Sequence, residues 1–299
     1  MMQTIENDVL KVEINELGAE LTSIVDKSTG FNYIWEDKPK VWPKHAPNLF
    51  PAIGRSMNEH YLVNGQRYEM PQHGIGFFHH YVAEKLAANC VKFTMHSDEE
   101  THQYYPFDFT FTIQFELHGK SIRMIDTVEN PNDETLSFAV GTHPAWNIPM
   151  KPNERFEDYY LTFGTKPKKL TYHEFMFDNG APLRTGKILE LQQYDGERLP
   201  LTRDLFKNGL IVFNETNKLN RLELHSTKGS QGITVHFRDF PQLCIWTQSD
   251  ERASFLCLEP FYGVSDQYGQ EVELMDKVGN YHMAAHELRT FTIDYDIND

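Results

Sequence analysis

The sequence is poor in cysteine, in basic residues and in long apolar runs. Its three cysteines, Cys90, Cys244 and Cys257, are odd in number and form no Cys-x-x-Cys pair, which argues against a disulfide scaffold or a structural zinc site. Cys244 and Cys257 lie in apolar stretches and are predicted to be buried, reduced core residues. No stretch approaches the roughly 20 apolar residues of a membrane-spanning helix, and the N-terminus lacks a basic and apolar leader. These absences predict a cytoplasmic protein without membrane contact.

Positive charge is scarce relative to negative charge. The chain has 28 Lys and Arg against 43 Asp and Glu, which gives a formal net charge of −15. Phosphate backbones are bound through Lys and Arg, so nucleic acid is not an expected partner. A strongly anionic substrate is also disfavoured, although one local basic pocket could override the overall field.

Hydrophobic residues recur at every second position in several stretches: 10–14, 109–117, 233–237 and 291–297. Successive side chains of a strand point to opposite faces, so this alternation predicts half-buried strands with one wet face. The 299 residues are 40% hydrophobic and 13% aromatic, which is enough for a sizeable core. No repeat or low-complexity linker divides the chain. We therefore predict an all-β fold, a large antiparallel β-sandwich, in a single domain over residues 1–299.

Turn residues separate these runs. Asn64 and Gly65 stand between two short apolar stretches, and Asn-Gly favours the positive φ angles of a two-residue hairpin. Evidence for helices is thin. Residues 81–89 combine helix formers with an alternating run directly after them, so that segment remains open between helix and strand.

Four short stretches place an ionisable residue beside Gly or Pro. They are NLFPAIGR with Arg55, PQHGIGFFHH with His73, GTHPAWN with His143 and FLCLEPFYG with Glu259. Gly and Pro restrict the backbone, and strand ends open onto clefts, so such side chains suit catalysis or binding. In the last stretch we expect a buried strand that ends at Pro260. An unpaired carboxylate is costly to bury there unless it has a task.

Each of these residues also has a purely structural interpretation. A histidine beside a turn is more often structural than catalytic, and Arg55 could be a surface ion-pair partner. His73, His79 and His80 match no standard zinc spacing, so no metal site is predicted. The Gly74-x-Gly76 fragment is too short for a dinucleotide fingerprint, and the Gly-x-Ser-x-Gly elbow of serine hydrolases is missing.

A carboxylate and a histidine on a rigid scaffold suit general acid–base catalysis, in which one group takes a proton while the other gives one. Partial burial raises the pKa of a carboxyl toward neutrality, unless hydrogen bonds or an arginine oppose it. Nearby aromatic residues, among them Trp146 and Trp246, would offer flat apolar faces to a sugar ring.

Five motifs follow one another across residues 46–263: APNLFPAIGR, MPQHGIG, GTHPAWNIP, DFPQLCIWT and LEPFYG. Together they resemble the aldose 1-epimerase (galactose mutarotase) family, in particular its LacX-like branch. The resemblance implies a galactose mutarotase-like supersandwich that interconverts the α and β anomers of an aldose without metal or cofactor. It implies that Glu259 is the base that takes the C1 hydroxyl proton and that His143 is the acid that protonates the ring oxygen. Arg55 and His73 would position the sugar, and Trp146 is expected to line its site.

Two residues depart from the pattern of that branch. Phe77 stands where an arginine is usual, and Gly209 stands where an aspartate is usual. These departures leave the preferred sugar open. The expected partner is a monosaccharide such as galactose or glucose, bound by a monomer or a homodimer. Two alternatives remain: a hexose-6-phosphate 1-epimerase, and a non-catalytic carbohydrate-binding protein of the same fold.

Overall fold

A computed structural model describes residues 1–36, 40–178, 180–248, 250 and 252–298. The helical segments in this part of the chain are short 3₁₀ turns, and no helix is long and apolar enough to cross a bilayer. The strands, numbered in chain order, are β1 Met2–Glu6, β2 Leu10–Asn15, β3 Glu20–Asp26, β4 Asn48–Leu49, β5 His60–Val63, β6 Gln66–Glu69, β7 Val82–Ala87, β8 Cys90–His96, β9 Thr110–His118, β10 Ser121–Glu129, β11 Leu136–Phe138, β12 Val140–Thr142, β13 Ala145–Asn147, β14 Tyr159–Phe163, β15 Thr171–Asp178, β16 Ala181–Glu190, β17 Leu199–Pro200, β18 Ile211–Phe213, β19 Arg221–Ser226, β20 Gly232–His236, β21 Gln242–Trp246, β22 Phe255–Tyr262, β23 Tyr281–Met283 and β24 Leu288–Asn298. The 3₁₀ turns are Met57–Glu59, Gly76–Phe78, Thr101–Gln103, Phe156–Asp158, Arg203–Phe206, Glu215–Asn217 and Leu274–Asp276.

Two large sheets form the body of the fold. The first has nine strands in the order β17-β14-β19-β20-β24-β10-β9-β8-β7. The second has eight strands in the order β16-β15-β18-β21-β22-β12-β4, and β13 pairs with β22 beside that path. Pairings between the named strands are antiparallel throughout both sheets. The predicted all-β antiparallel sandwich is therefore confirmed.

The alternation in the sequence becomes the two faces of the nine-stranded sheet. In β9 the buried residues are Phe111, Ile113, Phe115 and Leu117, while the threonine, glutamine and glutamate between them are partly exposed. The same alternation runs along β10 and β24, which pair with each other in register. One apolar face of this sheet packs on the inner face of the eight-stranded sheet and forms the main core. Removing apolar surface from water in this way provides the main driving force for folding of a sandwich.

The eight-stranded sheet also buries part of its other face. Leu243, Ile245 and Leu258 point into the main core, whereas Cys244 and Cys257 belong to two smaller clusters on the opposite side. Strands buried on both faces read as nearly continuous apolar runs, as in FLCL and QLCIW. Loops between strands cover this second face, and the cavity described below lies between those loops and the sheet.

The structure corrects one predicted strand end, decides the ambiguous segment and confirms the predicted hairpin. The strand in FLCLEPFYG does not end at Pro260, because β22 runs to Tyr262 and Pro260 pairs with Leu243 of β21. Glu259 is thus held in the middle of a central strand and not at its end. The ambiguous segment 81–89 forms the edge strand β7. The hairpin at Asn64 and Gly65 is confirmed, with φ angles of 53° and 78°.

Candidate active site

A cavity of about 460 Å³ opens on the outer side of the eight-stranded sheet. Its wall and floor include Glu259 and His143, together with His73, Trp42 and Trp246. The volume falls in the range of about 300–1,000 Å³ that is usual for small-molecule sites. Three of the four stretches that stood out in the sequence therefore place their ionisable residue on one cavity.

Glu259 and His143 meet at the floor of this cavity. Glu259 lies in β22, and His143 directly follows β12, a neighbouring strand in the same sheet. The His143 Nε2 atom is 3.4 Å from the Glu259 Oε1 atom, and the two residues are 9% and 3% exposed. The backbone N–H of His143 donates to the Pro47 carbonyl at 2.9 Å, which continues the sheet beyond β12 and fixes the ring. The relative position of the two residues is thus fixed by backbone hydrogen bonds within one sheet.

Burial controls the charge of this pair. It raises the pKa of Glu259 to about 8, and the Cys244 thiol, as a hydrogen-bond donor to the carboxylate, opposes this rise. Burial also lowers the pKa of His143 to about 3, with a further contribution from His73. Both shifts follow from the cost of an ionised group away from water. At neutral pH the pair therefore shares one titratable proton, which lies on the carboxyl group.

Two thiols flank the carboxylate. Cys244 in β21 is the cross-strand partner of Glu259, and it lines the cavity. The Cys257 thiol, the His143 ring and the Glu259 carboxylate each bring one potential ligand atom within 4.8 Å of the others. Thiolate, imidazole and carboxylate are donors that zinc accepts. A metal ion at this position would occupy the lone pairs that acid–base chemistry needs.

His73 is positioned by a tight backbone contact. The Gly54 N–H donates to His73 Nδ1 at 3.2 Å, and the His73 N–H donates to the Gly54 carbonyl at 2.8 Å. A methyl group on Gly74, at φ +81°, would come within 2.3 Å of the Phe50 carbonyl oxygen, so only glycine fits there. Burial, followed by the charges of Arg55 and Lys44, lowers the pKa of His73 to about 4. His73 is therefore neutral at physiological pH and carries its proton on Nε2.

Arg55 takes a position that differs from the expected one. Its guanidinium forms an ion pair with Glu59, four residues along the chain, and its side chain is not part of the cavity lining. The charge still reaches His73, as the lowered pKa of that histidine indicates. The alternative interpretation, that Arg55 is an ion-pair partner, describes its contact correctly.

Trp146 does not line the cavity, so the expectation that it lines the sugar site is wrong. Its side chain is fully buried in the main core and packs against Tyr295 at a ring-centroid distance of 5.2 Å. The cause is strand alternation: Ala145 faces the cluster with Cys257 on the cavity side, so its neighbour in β13 turns inward. His79 and His80 do not line the cavity either.

Two other tryptophans supply the aromatic surface. Trp42 stacks on the His143 ring at 5.0 Å with an interplanar angle of 28°, and Trp246 meets the same ring edge-on at 5.7 Å. Trp42 is held by its carbonyl, which accepts from Trp35 Nε1 at 3.1 Å. The sequence does not predict this role for Trp42, because an isolated tryptophan beside Pro43 in a loop gives no indication of which part of the protein it contacts.

The comparisons with known proteins agree with this fold. The sequence profile of the family described as aldose 1-epimerase matches residues 1–273. Protein LacX from Lactococcus lactis subsp. lactis is 31% identical over 286 residues, 91% of either chain. A galactose mutarotase-like protein from Lactobacillus casei superimposes with a TM-score of 0.92 at 32% identity, over 99% of this chain and 100% of that one. A galactose mutarotase-related enzyme from Lactobacillus acidophilus gives a TM-score of 0.90 at 27% identity, over 100% and 98%.

The chain belongs to the aldose 1-epimerase family. Family membership and the mutarotase-like fold support a carbohydrate epimerase or mutarotase role and imply a sugar substrate. The cavity fits such a substrate, because it combines aromatic faces with polar groups that can bond to hydroxyls. The residues of this epimerase fold that depart from its usual motifs, Phe77 and Gly209, both line the cavity.

The pH dependence of stability tests the buried state of Glu259. The folded protein keeps the proton of this carboxyl up to about pH 8, whereas an unfolded chain loses it near pH 4.5. Stability is therefore lost as pH rises between these values, by up to about 1.4 kcal/mol per pH unit. Because Glu259→Gln cannot ionise, its free energy of unfolding relative to wild type should rise over the same window.

Chemical denaturation at pH 4.5, 6 and 8 measures this difference, with the exposed Glu197→Gln as a matched control. We expect the control difference to stay flat across this range. A Glu259→Gln difference that is equally flat would contradict a proton held by burial.

Proposed function

We propose that this protein is an aldose 1-epimerase that interconverts the α and β anomers of a monosaccharide by metal-free acid–base catalysis. The observation that carries the proposal is the buried pair of Glu259 and His143, 3.4 Å apart on the floor of an aromatic cavity. Mutarotation needs a group that takes the proton of the C1 hydroxyl and a second that gives a proton to the ring oxygen. Those two oxygens are attached to the same carbon, so the two groups must be close neighbours.

The reaction proceeds in two halves. Glu259 takes the proton from the C1 hydroxyl while His143 gives one to the ring oxygen, and the bond between C1 and that oxygen breaks. The resulting open-chain aldehyde rotates about its C1–C2 bond. The hydroxyl formed from the ring oxygen then attacks the other face of the aldehyde and gives its proton back to His143, while Glu259 returns a proton to the carbonyl oxygen, which becomes the new C1 hydroxyl. No proton is gained or lost over the cycle.

The charge state of the Glu259 and His143 pair is compatible with these roles. Carboxylate plus imidazolium and carboxylic acid plus imidazole differ only by a proton moved between the two residues, so both forms contain one proton. Glu259 Oε1 has no hydrogen-bond partner among the described residues. A sugar hydroxyl that donates to this oxygen stabilises the ionised carboxylate and lowers its pKa, which favours the catalytic form.

The remaining polar groups of the cavity would orient the sugar relative to Glu259 and His143. His73 Nε2 and the Gln72 side-chain amide lie 3.2 Å apart and hydrogen-bond to each other, and both residues line the cavity, so the amide would offer its remaining polar atoms to ring hydroxyls. Trp42 and Trp246 cover the apolar face of the ring. Preorganised donors and flat walls of this kind reduce the entropy lost on reaching the reactive geometry.

Replacing the base tests the proposal directly. Glu259→Gln keeps the shape of the side chain but removes its ability to accept a proton, so we expect kcat for mutarotation to fall about 100-fold or more. Binding of the sugar should change little. Polarimetry on freshly dissolved α-galactose and α-glucose measures the rate, and calorimetry measures binding.

Glu197→Gln, an exposed carboxylate that does not line the cavity, is the matched control and should keep wild-type activity. Wild-type activity in Glu259→Gln would rule out this base. Sugar binding without any acceleration by the unmodified protein would instead favour a non-catalytic carbohydrate-binding protein.

A phosphorylated aldose is the second candidate substrate, and one observation favours it. Lys44 lines the cavity with its Nζ atom 4.3 Å from the centre of the Phe77 ring, and no ion pair of Lys44 occurs among the described residues. A phosphate group usually requires more than one cation or a cluster of backbone donors. The nearby Arg55 is already paired with Glu59. We therefore favour a neutral aldose.

Inorganic phosphate separates these two candidates. We expect millimolar phosphate to leave the mutarotation rate of α-galactose unchanged at constant ionic strength, with sulfate as the control anion. Competitive inhibition by phosphate that disappears in Lys44→Met would show that the cavity takes phosphorylated sugars.

A further inference from the structure

Cys257 has no part in the proposed acid–base cycle, although its thiol lies beside the two residues that carry it. Cys257 and Glu259 are two residues apart in β22, so their side chains lie on the same face of the sheet. The thiol, the His143 ring and the carboxylate each have one potential ligand atom within 4.8 Å of the other two. A sulfur, a nitrogen and an oxygen donor therefore meet at one point on the cavity floor.

The spacing of these donors suits a tetrahedral ion. Zinc bonds of 2.0–2.3 Å place neighbouring ligand atoms of a tetrahedron about 3.3–3.6 Å apart. The His143 Nε2 atom is 3.4 Å from the Glu259 Oε1 atom, so this pair already has the required separation. The Cys257 sulfur would have to close a gap of about 1.2 Å or less, which a small rotation of its side chain provides.

The oxygen donor is free to bind a ligand. Glu259 Oε1 has no hydrogen-bond partner within the described part of the chain, and the residue is only 3% exposed. A buried polar atom is normally satisfied by protein, water, an ion or a substrate. This atom therefore points to a ligand at the cavity floor, and the donors around it decide which ligands qualify.

The backbone holds the three donors in place before any ion arrives. The N–H of His143 donates to the Pro47 carbonyl at 2.9 Å. Two residues further on, Ala145 of β13 pairs directly with Cys257 of β22. The segment that carries the histidine is thus fixed to the strand that carries the thiol and the carboxylate. A site that is formed in advance loses little entropy when it binds.

The donor set favours one class of metal. Thiolate and imidazole ligands select zinc and similar soft cations, whereas magnesium and calcium prefer sites made of oxygen atoms alone. The net charge of −15 attracts cations of any kind. Three protein ligands leave a fourth tetrahedral position open. It faces the cavity, because His143 and Glu259 both line it.

We propose that Cys257, His143 and Glu259 form an inhibitory zinc site, with a water molecule as the fourth ligand on the cavity side. The bound ion takes the lone pairs of the Glu259 oxygen and the His143 nitrogen, so neither group can exchange a proton with a sugar. Cys257 is then the residue that makes the pair sensitive to soft metals. The inhibition rests on the proposed function, whereas the binding of the metal does not.

Cobalt titration tests the site without any measurement of activity. In reduced, untagged wild type, Co²⁺ should give the intense visible bands of a tetrahedral ion and a thiolate-to-cobalt charge-transfer band. Zinc should displace it at a ratio of about one ion per chain, and millimolar Mg²⁺ or Ca²⁺ should not. Cys257→Ala should lose the charge-transfer band and bind zinc about 100-fold more weakly. Cys90→Ala, which changes the cysteine of the other sheet, is the matched control and should behave as wild type.

Polarimetry on α-galactose tests the inhibition. Saturating zinc should slow mutarotation by wild type about 100-fold or more, because both proton-transfer groups are occupied, and a chelator should restore the rate. Each variant is compared with its own rate in the absence of metal. On that scale Cys257→Ala should need about 100-fold more zinc for the same inhibition, and Cys90→Ala should need no more than wild type.

Three results would overturn the proposal: a weak octahedral cobalt spectrum without charge transfer, an unchanged zinc affinity in Cys257→Ala, or a charge-transfer band that disappears in Cys244→Ala instead. Circular dichroism checks the fold of each variant, and Cys257→Ser replaces Cys257→Ala if the smaller side chain destabilises the core. If the unmodified protein accelerates no mutarotation, the proposed function fails. The cobalt spectrum and the zinc affinity still decide whether the metal site exists.

Discussion

The proposed chemistry depends on a carboxyl group that is kept away from water. Glu259 is 3% exposed in the middle of a central strand, and burial alone is the main cause of its raised pKa. A carboxylate in water is a weak base, whereas desolvation makes the same group a stronger one near neutral pH. The cost of that burial falls on the stability of the fold. The large core between the two sheets has to offset it.

The architecture explains how the fold tolerates that cost and how the geometry is kept. The site lies on the outer face of a sheet whose inner face is part of the main core, so the strands that carry the pair cannot shift without disturbing that core. His143 is additionally enclosed by the rings of Trp42, Trp246 and His73. Catalytic groups on rigid strands are held more accurately than groups on loops. The cavity is lined on its other sides by loops and hairpins, which carry Phe77, Phe177 and Gly209.

Much of this arrangement could be predicted from the sequence, and the errors have physical causes. Alternation along β2, β9, β20 and β24 predicted their buried faces, because the period of a strand is local information. The convergence of Glu259 and His143 was accessible only through the resemblance to a family. The contact between Cys244 and Glu259 depends on which residues face each other across β21 and β22, and strand register is not readable from either strand alone. Trp146 was expected on the cavity side of β13, but alternation along the strand directs its side chain into the core. Trp42 was not predicted, because the sequence does not show that its loop folds back onto His143.

In the proposed mechanism, Glu259 and His143 act together on one anomeric centre. A crystal structure of Glu259→Gln with bound galactose tests it most directly, since the variant should hold the sugar without turning it over. We expect the C1 hydroxyl within hydrogen-bond distance of residue 259 and the ring oxygen within hydrogen-bond distance of His143 Nε2. A sugar bound elsewhere, or with its anomeric carbon turned away from these two side chains, would contradict it.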